Sequence, residues 1–229
     1  MKTALIIAGV LLMAASGVRA QHAGQPQGGH TPDHMEHSFA DVEQYAKAFD
    51  DPARDAWQMP DRVIAALGLK AGQSVADIGA GTGYVSEKIA HKIGTNGLVY
   101  ATDIQQEMLD IVEERALEDG ALNVMPVMGR IDHCGLEANS VDLVLFVDAY
   151  HEFSHPREMM DSIVTALKPG GRVYLVEYRL EDPTVAIKLR HKMTEQQARL
   201  EMEAVGLAFV ENIAALPQQH VLVFRRAGK

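Results

Sequence analysis

The sequence predicts an α/β fold, a doubly wound and mostly parallel β-sheet with helices on both faces and a C-terminal antiparallel hairpin. Short apolar segments alternate with helical patterns from residue 41 onward, which is typical of parallel strands joined by helical crossovers. The segment 141–148 (VDLVLFVD) is almost continuously apolar, as expected of a central strand covered on both faces. The segment 205–226 reads as two strands joined by a loop, so these two strands should be antiparallel.

Each predicted element has limits that the sequence indicates. Apolar and β-branched segments predict parallel strands at 74–81, 97–103, 122–129, 141–148 and 172–178. Helical periodicity and capping residues predict helices at 41–49, 60–67, 84–93, 105–117, 156–167 and 195–204. Thr194 and Gln197 have the spacing of a capping box for the last helix. The PGG segment (169–171) should turn the chain into the fifth strand.

The composition narrows the possible functions. The chain has 229 residues, of which 47% are hydrophobic and 23% charged, as is ordinary for a globular domain. Acidic residues outnumber Lys and Arg by 31 to 21, and the net charge of −10 argues against nucleic-acid binding, which needs a basic face. The one cysteine, Cys134, can form neither an intramolecular disulfide nor a multi-cysteine metal site.

The N-terminal residues 1–20 have the pattern of a secretory signal peptide. Lys2 precedes an apolar run, and Val18-Arg19-Ala20 offers small residues for cleavage after Ala20. The apolar run is shorter than the roughly 20 residues of a spanning helix, so we expect an exported, periplasmic or secreted chain without a stable membrane span after cleavage. An uncleaved membrane anchor is the alternative.

The segment 21–40 is rich in His, Gly and Pro and has little to bury, which predicts a flexible linker. It holds four of the ten histidines, but a Gly-rich segment fixes no ligand geometry, and we predict no metal site. The remaining residues, 41–229, form the single predicted domain, with a helical lid at 41–68. Trp57 in this lid could wall a pocket or simply pack.

The segment 77–83 (DIGAGTG) carries the strongest functional signal. A strand that runs into glycines and then a helix lets the backbone approach a ligand closely. Twenty residues after Gly83, Asp103 ends the next strand, where a carboxylate can accept hydrogen bonds from a ribose diol. The pattern predicts an adenosine-type nucleoside at the carboxyl ends of the strands.

The glycine spacing separates two possible ligands. A dinucleotide fingerprint requires a third glycine, whose place is taken here by Tyr84 when counting from Gly79, or by Ser86 when counting from Gly81. This spacing disfavours a dinucleotide. The glycines instead alternate as D-x-G-x-G-x-G.

This stretch resembles the signature of class I S-adenosylmethionine-dependent methyltransferases, which have a Rossmann-like fold. Four segments follow that family's order and spacing: 75–86 (VADIGAGTGYVS), 102–109 (TDIQQEML), 140–153 (SVDLVLFVDAYHEF) and 167–178 (LKPGGRVYLVEY). The resemblance covers about residues 60–180 and is closest to the ubiquinone-biosynthesis-like group of small-molecule methyltransferases.

The resemblance implies a set of cofactor-binding residues. Asp77 would hold the methionine amino group, Asp103 the ribose hydroxyls, and Ile104 would lie against the adenine. Asp132 stands near the place of an acid that caps the adenine amino group; the alternative is a loop acid facing water. The others implied at this site are the three glycines and the acid that ends the fourth strand: Gly79, Gly81, Gly83 and Asp148.

The acceptor should bind at the carboxyl end of the fourth strand, where ligands of open α/β sheets bind. His151 is the candidate base, because its ordinary pKa suits neutral pH, and Tyr150 or Glu152 could orient it. The alternative is that His151 and Tyr150 only line the pocket. His191 lies in an insertion that could fold over the acceptor.

We therefore expect methyl transfer from S-adenosylmethionine to a small-molecule acceptor. Two alternatives are an NAD(P)-dependent oxidoreductase and an exported nucleoside-binding protein without catalytic activity. Export favours the last alternative, because the methyl donor is made inside cells.

Overall fold

A computed structural model describes residues 42–227. The predicted signal peptide (1–20) and linker (21–40) lie outside the described residues. Among the residues described, no helix is both long enough and apolar enough to cross a membrane.

The described chain contains the predicted alternation of strands and helices. The strands are β1 Ser74–Ile78, β2 Leu98–Asp103, β3 Val124–Met128, β4 Val141–Val147, β5 Leu167–Arg179, β6 Lys192–Met193, β7 Leu207–Asn212 and β8 Gln219–Arg226. The α-helices are α1 Val42–Phe49, α2 Asp55–Gln58, α3 Pro60–Ala66, α4 Ser86–Ile93, α5 Gln106–Glu118, α6 Pro156–Ala166 and α7 Glu195–Ala204.

The described strands form one sheet in the order β3-β2-β1-β4-β5-β8-β7, with the short β6 paired to β5. Strands β1 to β5 are parallel, whereas β8 runs antiparallel to both β5 and β7. The predicted fold class is thus confirmed. The chain winds outward from β1 through β2 to β3 and then returns to β4, so the order reverses between β1 and β4. Ligands of such sheets bind outside the carboxyl ends of the strands at this switch point.

Apolar side chains of the central strand β4 divide between the two faces of the sheet. Val144 and Phe146 belong to one buried cluster, which also contains residues of α6 and α7. Leu143 and Leu145 belong to a second cluster with residues of α3 and α4. Because successive side chains of a strand point to opposite faces, a continuously apolar strand requires helices on both sides.

The PGG segment differs from its prediction. It lies within β5, which begins at Leu167, instead of forming a turn before the strand. The pairing with β4 shifts there, because Val141 faces Leu167 whereas Leu143 faces Arg172. Gly170 has a φ of 78°, which a residue with a side chain adopts only with strain. The glycines therefore accommodate extra residues in a β-bulge.

The predicted capping box of the last helix is half present. The hydroxyl of Thr194 accepts a hydrogen bond of 3.0 Å from the amide of Gln197 at the start of α7. Helix α4 begins at Ser86, two residues later than predicted, because the preceding residues complete the glycine turn.

Candidate functional site

The turn after β1 has the backbone conformation that its glycines predict. Gly79, Gly81 and Gly83 have φ values of 70°, 54° and 79°. A Cβ atom on Gly79 would lie 2.8 Å from the Cβ of Ala149, closer than unbonded carbon atoms normally approach. The amides of Gly79 and Ala80 both donate to the carbonyl of Thr102, which ties the turn to β2. The turn is therefore held between the ends of β2 and β4.

Asp103 lies at the end of β2, facing this turn. Its Oδ2 accepts a hydrogen bond of 3.0 Å from the amide of Gly81, and its Oδ1 accepts one of 3.1 Å from the amide of Gln105. Burial raises the pKa of the carboxyl, and these amides partly offset that effect. Each oxygen of a carboxylate can accept a second hydrogen bond, as two ribose hydroxyls require.

Asp77 lies within β1, directly before the turn, and its residue is only 3% exposed. Its Oδ2 accepts a hydrogen bond of 2.7 Å from the hydroxyl of Ser86. Burial raises the pKa of Asp77 to about 6, although the Ser86 hydrogen bond opposes the shift. The contribution of Ser86 was missed, since a serine nine residues after an acid carries no recognisable signal.

Ile104 and Asp132 lie at the edge formed by β2 and β3. Ile104 is 50% exposed, so its side chain is accessible to a ligand. Met128, also exposed, faces Asp103 across the strand pair and adds apolar surface that sequence reasoning did not single out. Asp132 lies in the loop after β3, with its carboxylate 3.2 Å from the guanidinium of Arg130.

The segment between α1 and α2 covers the glycine turn. A Cβ on Gly81 would lie 3.2 Å from the ring of Phe49. The hydroxyl of Thr82 donates a hydrogen bond of 2.7 Å to Asp50, whose carboxylate also pairs with Arg115 of α5. These contacts join Phe49 and Asp50, which lie in the segment predicted to be a lid, to the turn and to α5.

An arginine and two aromatic residues continue this cover toward β5. The guanidinium of Arg54 lies 4.4 Å from the centre of the Tyr84 ring, within the range of a cation–π contact. The ring of Trp57 lies 6.2 Å from that of Tyr178, at the end of β5. The tryptophan thus lies over the end of β5, near the predicted acceptor position.

Asp148 follows β4 in a left-handed conformation, with a φ of 52°. The Nε2 of Gln219 lies 2.7 Å from both of its oxygens, and Gln58 donates in turn to Gln219 over 3.3 Å. Burial, with Glu177 nearby, raises the pKa of Asp148 to about 7. Gln219 belongs to β8, whose register cannot be read from local sequence, and its role was missed.

Tyr150 was predicted to orient His151, but its hydroxyl contacts another residue. Its ring is buried against Phe146 and Phe153, and its hydroxyl donates a hydrogen bond of 2.7 Å to Glu201 of α7. Burial and Glu201 raise the pKa of the hydroxyl. Its side chain therefore joins the core to α7, and its predicted catalytic role requires correction.

His151 is held by two carboxylates. Its Nδ1 lies 2.6 Å from Oε2 of the fully buried Glu177, and its Nε2 lies 3.3 Å from Oε1 of Glu152. Burial lowers the pKa of His151, but the two carboxylates outweigh it and raise the pKa to about 10. The expectation of an ordinary histidine pKa, on which its role as a base rested, was therefore wrong.

His191, from the segment that was predicted to be able to fold over the acceptor, lies beside His151. Its Nδ1 lies 2.9 Å from Nε2 of His151. The pairing of β6 with the end of β5, where Tyr178 faces Lys192, fixes this position. The sequence could not predict it, since 40 residues separate the two histidines.

Comparisons with known proteins agree with this arrangement. Residues 75–171 match a family described as a methyltransferase domain. The ubiquinone/menaquinone biosynthesis C-methyltransferase UbiE of Pseudomonas fluorescens (strain Pf0-1) is 32% identical over 121 residues, which are 52% of this chain and 46% of that protein. The chain thus matches about half the length of this curated relative. The family match and this relative thus make the chain similar to methyltransferases.

Two solved structures share the fold. A SAM-dependent methyltransferase from Aquifex aeolicus has a TM-score of 0.74 at 24% identity, covering 80% of this chain and 97% of its own. The [4+2]-cyclase SpnF has a TM-score of 0.62 at 15% identity, covering 75% of this chain and 82% of its own. Because one fold can carry several chemistries, function must be argued from the site.

Proposed function

We propose that the protein transfers a methyl group from S-adenosylmethionine to a small-molecule acceptor at the carboxyl ends of β1, β2 and β4. The observation that carries the proposal is Asp103 bound to the Gly81 amide, within a stretch that matches the methyltransferase domain family. The cofactor supplies an electrophilic methyl group on a sulfonium.

The residues around the turn suit the parts of this cofactor. Asp103 presents two oxygens to the ribose hydroxyls, and the exposed Ile104 presents apolar surface to the adenine. The buried Asp77 accepts a hydrogen bond from the neutral hydroxyl of Ser86. The ammonium group of the cofactor beside Asp77 would lower the raised pKa of this carboxyl. The positive φ angles and the close approach of Gly79 to Ala149 leave no room for side chains in the turn.

The same geometry disfavours a dinucleotide. Tyr84 occupies the third glycine position and its ring contacts Arg54, so this position lacks the glycine that the dinucleotide turn requires. The relatives and solved structures described above are methyltransferases or share their fold, and none of them is named as an oxidoreductase.

The acceptor is proposed to lie between the lid and the ends of β4 and β5. Trp57 and Tyr178 supply aromatic surface, whereas Glu152 supplies negative charge. The curated relative is named as a C-methyltransferase, and an acceptor carbon activated by a neighbouring oxygen is compatible with this rim. Alignment and the exclusion of water contribute most to such a transfer.

Export after cleavage at Ala20 remains part of the proposal. It is supported by the composition of residues 1–20 and 21–40. An exported methyltransferase requires its cofactor outside the cytoplasm, or acts before it leaves.

Thermal unfolding with different ligands tests the proposed function. A ligand that binds only the folded state raises the melting temperature. At a ligand concentration of a hundred times the Kd, it adds about 2.7 kcal/mol to the free energy of unfolding. We expect S-adenosylmethionine and S-adenosylhomocysteine to raise it and NAD to leave it unchanged. A shift with NAD alone would contradict the proposal.

A further inference from the structure

We propose that His151, Glu152 and His191 bind one divalent transition-metal ion of the zinc class at the acceptor edge. Among the described residues, these three form the only group of His, Cys, Asp or Glu with ligand atoms close enough for such a site. Sequence reasoning predicted no metal site, because His191 reaches the other two only through the pairing of β6.

The three ligand atoms form a nearly equilateral triangle. Nε2 of His151 lies 2.9 Å from Nδ1 of His191, and Oε1 of Glu152 lies 3.3 Å and 3.2 Å from these two nitrogens. Zinc binds such atoms at about 2.0–2.1 Å, so ligands around one ion lie roughly 2.9 Å apart in octahedral and 3.3 Å apart in tetrahedral geometry. The observed separations span this range.

Glu177 orients His151 in the way that metal-binding histidines require. Its Oε2 lies 2.6 Å from Nδ1 of His151, which leaves Nε2 directed at Glu152 and His191. Its Oε1 accepts the amides of Tyr150 and His151, so the carboxylate is fixed within the core. A histidine that donates its second N–H to a buried carboxylate has a defined tautomer and is a stronger ligand.

Charges around the cluster favour a dication. Glu152 and Glu177 contact His151, and Asp148 precedes them on the same edge. A cation also contacts the cluster: Nε of Arg190 donates a hydrogen bond of 3.2 Å to Nε2 of His191. A metal ion on Nδ1 of His191 leaves the imidazole proton on Nε2. Nε2 can then no longer accept the hydrogen bond from Arg190, so this hydrogen bond must break. Arg190 is exposed and can turn into solvent at little cost.

The location of the cluster suggests what the ion does. Ala149 lies two residues before His151 and packs closely against Gly79. The cluster therefore adjoins the turn that would hold the cofactor. Three protein ligands leave a coordination position for water or for an oxygen of the acceptor, whose ionisation the ion would promote. This second role rests on the proposed methyl transfer, whereas metal binding itself does not.

Metal titration tests the site in the full-length chain without an affinity tag. The starting variant has His22, His30, His34 and His37 replaced by alanine, so that the N-terminal histidines cannot bind the ion. After chelator treatment, we expect zinc chloride, titrated against a competing indicator, to bind at one equivalent. Glu152→Gln and His191→Ala should abolish this equivalent, and Glu177→Gln should weaken its binding about 10–100-fold. His155→Ala, which removes an exposed neighbouring histidine, is the matched control and should bind as before.

Thermal unfolding separates loss of binding from loss of folding. Zinc should raise the melting temperature of the starting variant and of His155→Ala but not that of Glu152→Gln or His191→Ala. Cobalt chloride should give visible absorption bands whose intensity reports the coordination number. Absence of a zinc equivalent in the starting variant would overturn the proposal, as would unchanged binding in both ligand variants, which would leave the cluster a hydrogen-bonded network. Parallel measurement with S-adenosylhomocysteine tests the proposed function separately.

Discussion

The amide of Gly81 donates a hydrogen bond of 3.0 Å to Oδ2 of Asp103. This contact connects the turn after β1 to the end of β2, the two elements of the proposed nucleoside site. Because a backbone amide already orients the carboxylate, a ligand that uses Asp103 need not fix its position on binding. The affinity of the site should therefore depend strongly on this one side chain.

Replacing Asp103 tests the ribose contact. Asp103→Ala removes both acceptors, and hydrogen bonds to a charged group contribute about 1.5–3 kcal/mol. We expect S-adenosylhomocysteine binding, measured by calorimetry, to weaken by that amount. Asp110→Ala, an exposed acid on α5 that contacts Gln106, is the control and should leave the affinity unchanged. Unchanged affinity in a folded Asp103→Ala variant would contradict the ribose assignment.

The sequence predicted the parts of the site that depend on local pattern. The glycine turn, Asp77 and Asp103 are encoded within one strand–turn–helix–strand unit, where spacing alone places them at the sheet edge. Gln219 and Glu201 could not be found in this way. Their contacts with Asp148 and Tyr150 span 71 and 51 residues and depend on the register of β8 and the packing of α7.

The same limit explains the error about His151. Its neighbour Glu152 is visible in the sequence. Glu177, in contrast, contacts His151 only because β4 and β5 pair in parallel. A pKa depends on such surroundings in space, so the reference value of an isolated histidine was a poor guide.

The raised pKa of Asp77 predicts a pH dependence of cofactor binding. Near pH 7 the carboxyl of Asp77 is largely ionised. The ammonium of S-adenosylhomocysteine should lower the raised pKa of this carboxyl when it binds. Below the free-protein value of about 6, binding must first displace a proton, so affinity falls with falling pH. We expect a decrease of about tenfold between pH 7 and pH 5, measured by calorimetry.

Asp77→Asn keeps the size of the side chain but cannot titrate. Its affinity should be lower at pH 7 and nearly constant down to pH 5. If the variant retained the same pH dependence, another group, such as Asp103, would be responsible for it.

The contact between Gly79 and Ala149 predicts a loss of stability in Gly79→Ala that a second substitution at position 149 should partly restore. In Gly79→Ala, the strain of a positive φ and the 2.8 Å approach of two methyl groups should together lower the free energy of unfolding by about 2–5 kcal/mol, measured by urea denaturation. Gly68→Ala is the matched control, because Gly68 has a φ of 58° but a methyl group added there would meet no described atom within 4 Å. It should lose only the conformational part, about 1–2 kcal/mol.

The second substitution Ala149→Gly should recover the difference between these two variants. A double-mutant cycle measures this recovery as an interaction energy between positions 79 and 149. Additive effects of the two changes would show that the close contact relaxes freely and does not fix the turn against β4.

Processing of the N-terminus is expected from the composition of residues 1–20. Protein isolated from its native host should begin at Gln21, because Ala20 ends the proposed cleavage site. Intact mass spectrometry measures this directly. A soluble cytoplasmic protein that retains Met1 would contradict the export proposal.

The contact of Asp50 with Thr82 predicts that the lid opens when it is weakened. Asp50→Ala removes this hydrogen bond and the pairing with Arg115, and a loss of about 1–2 kcal/mol of closure free energy changes the open population about 5–30-fold. Limited proteolysis of the segment 42–58 should accelerate by this factor, since cleavage follows the open population when opening is fast. Saturating S-adenosylhomocysteine should slow the cleavage, because the ligand is proposed to bind beneath this segment.

Asp61→Ala is the control, because that side chain is 94% exposed and lies 3.7 Å from the ammonium of Lys88. Equal cleavage rates in Asp50→Ala and the native chain, with or without ligand, would show that the segment does not act as a lid.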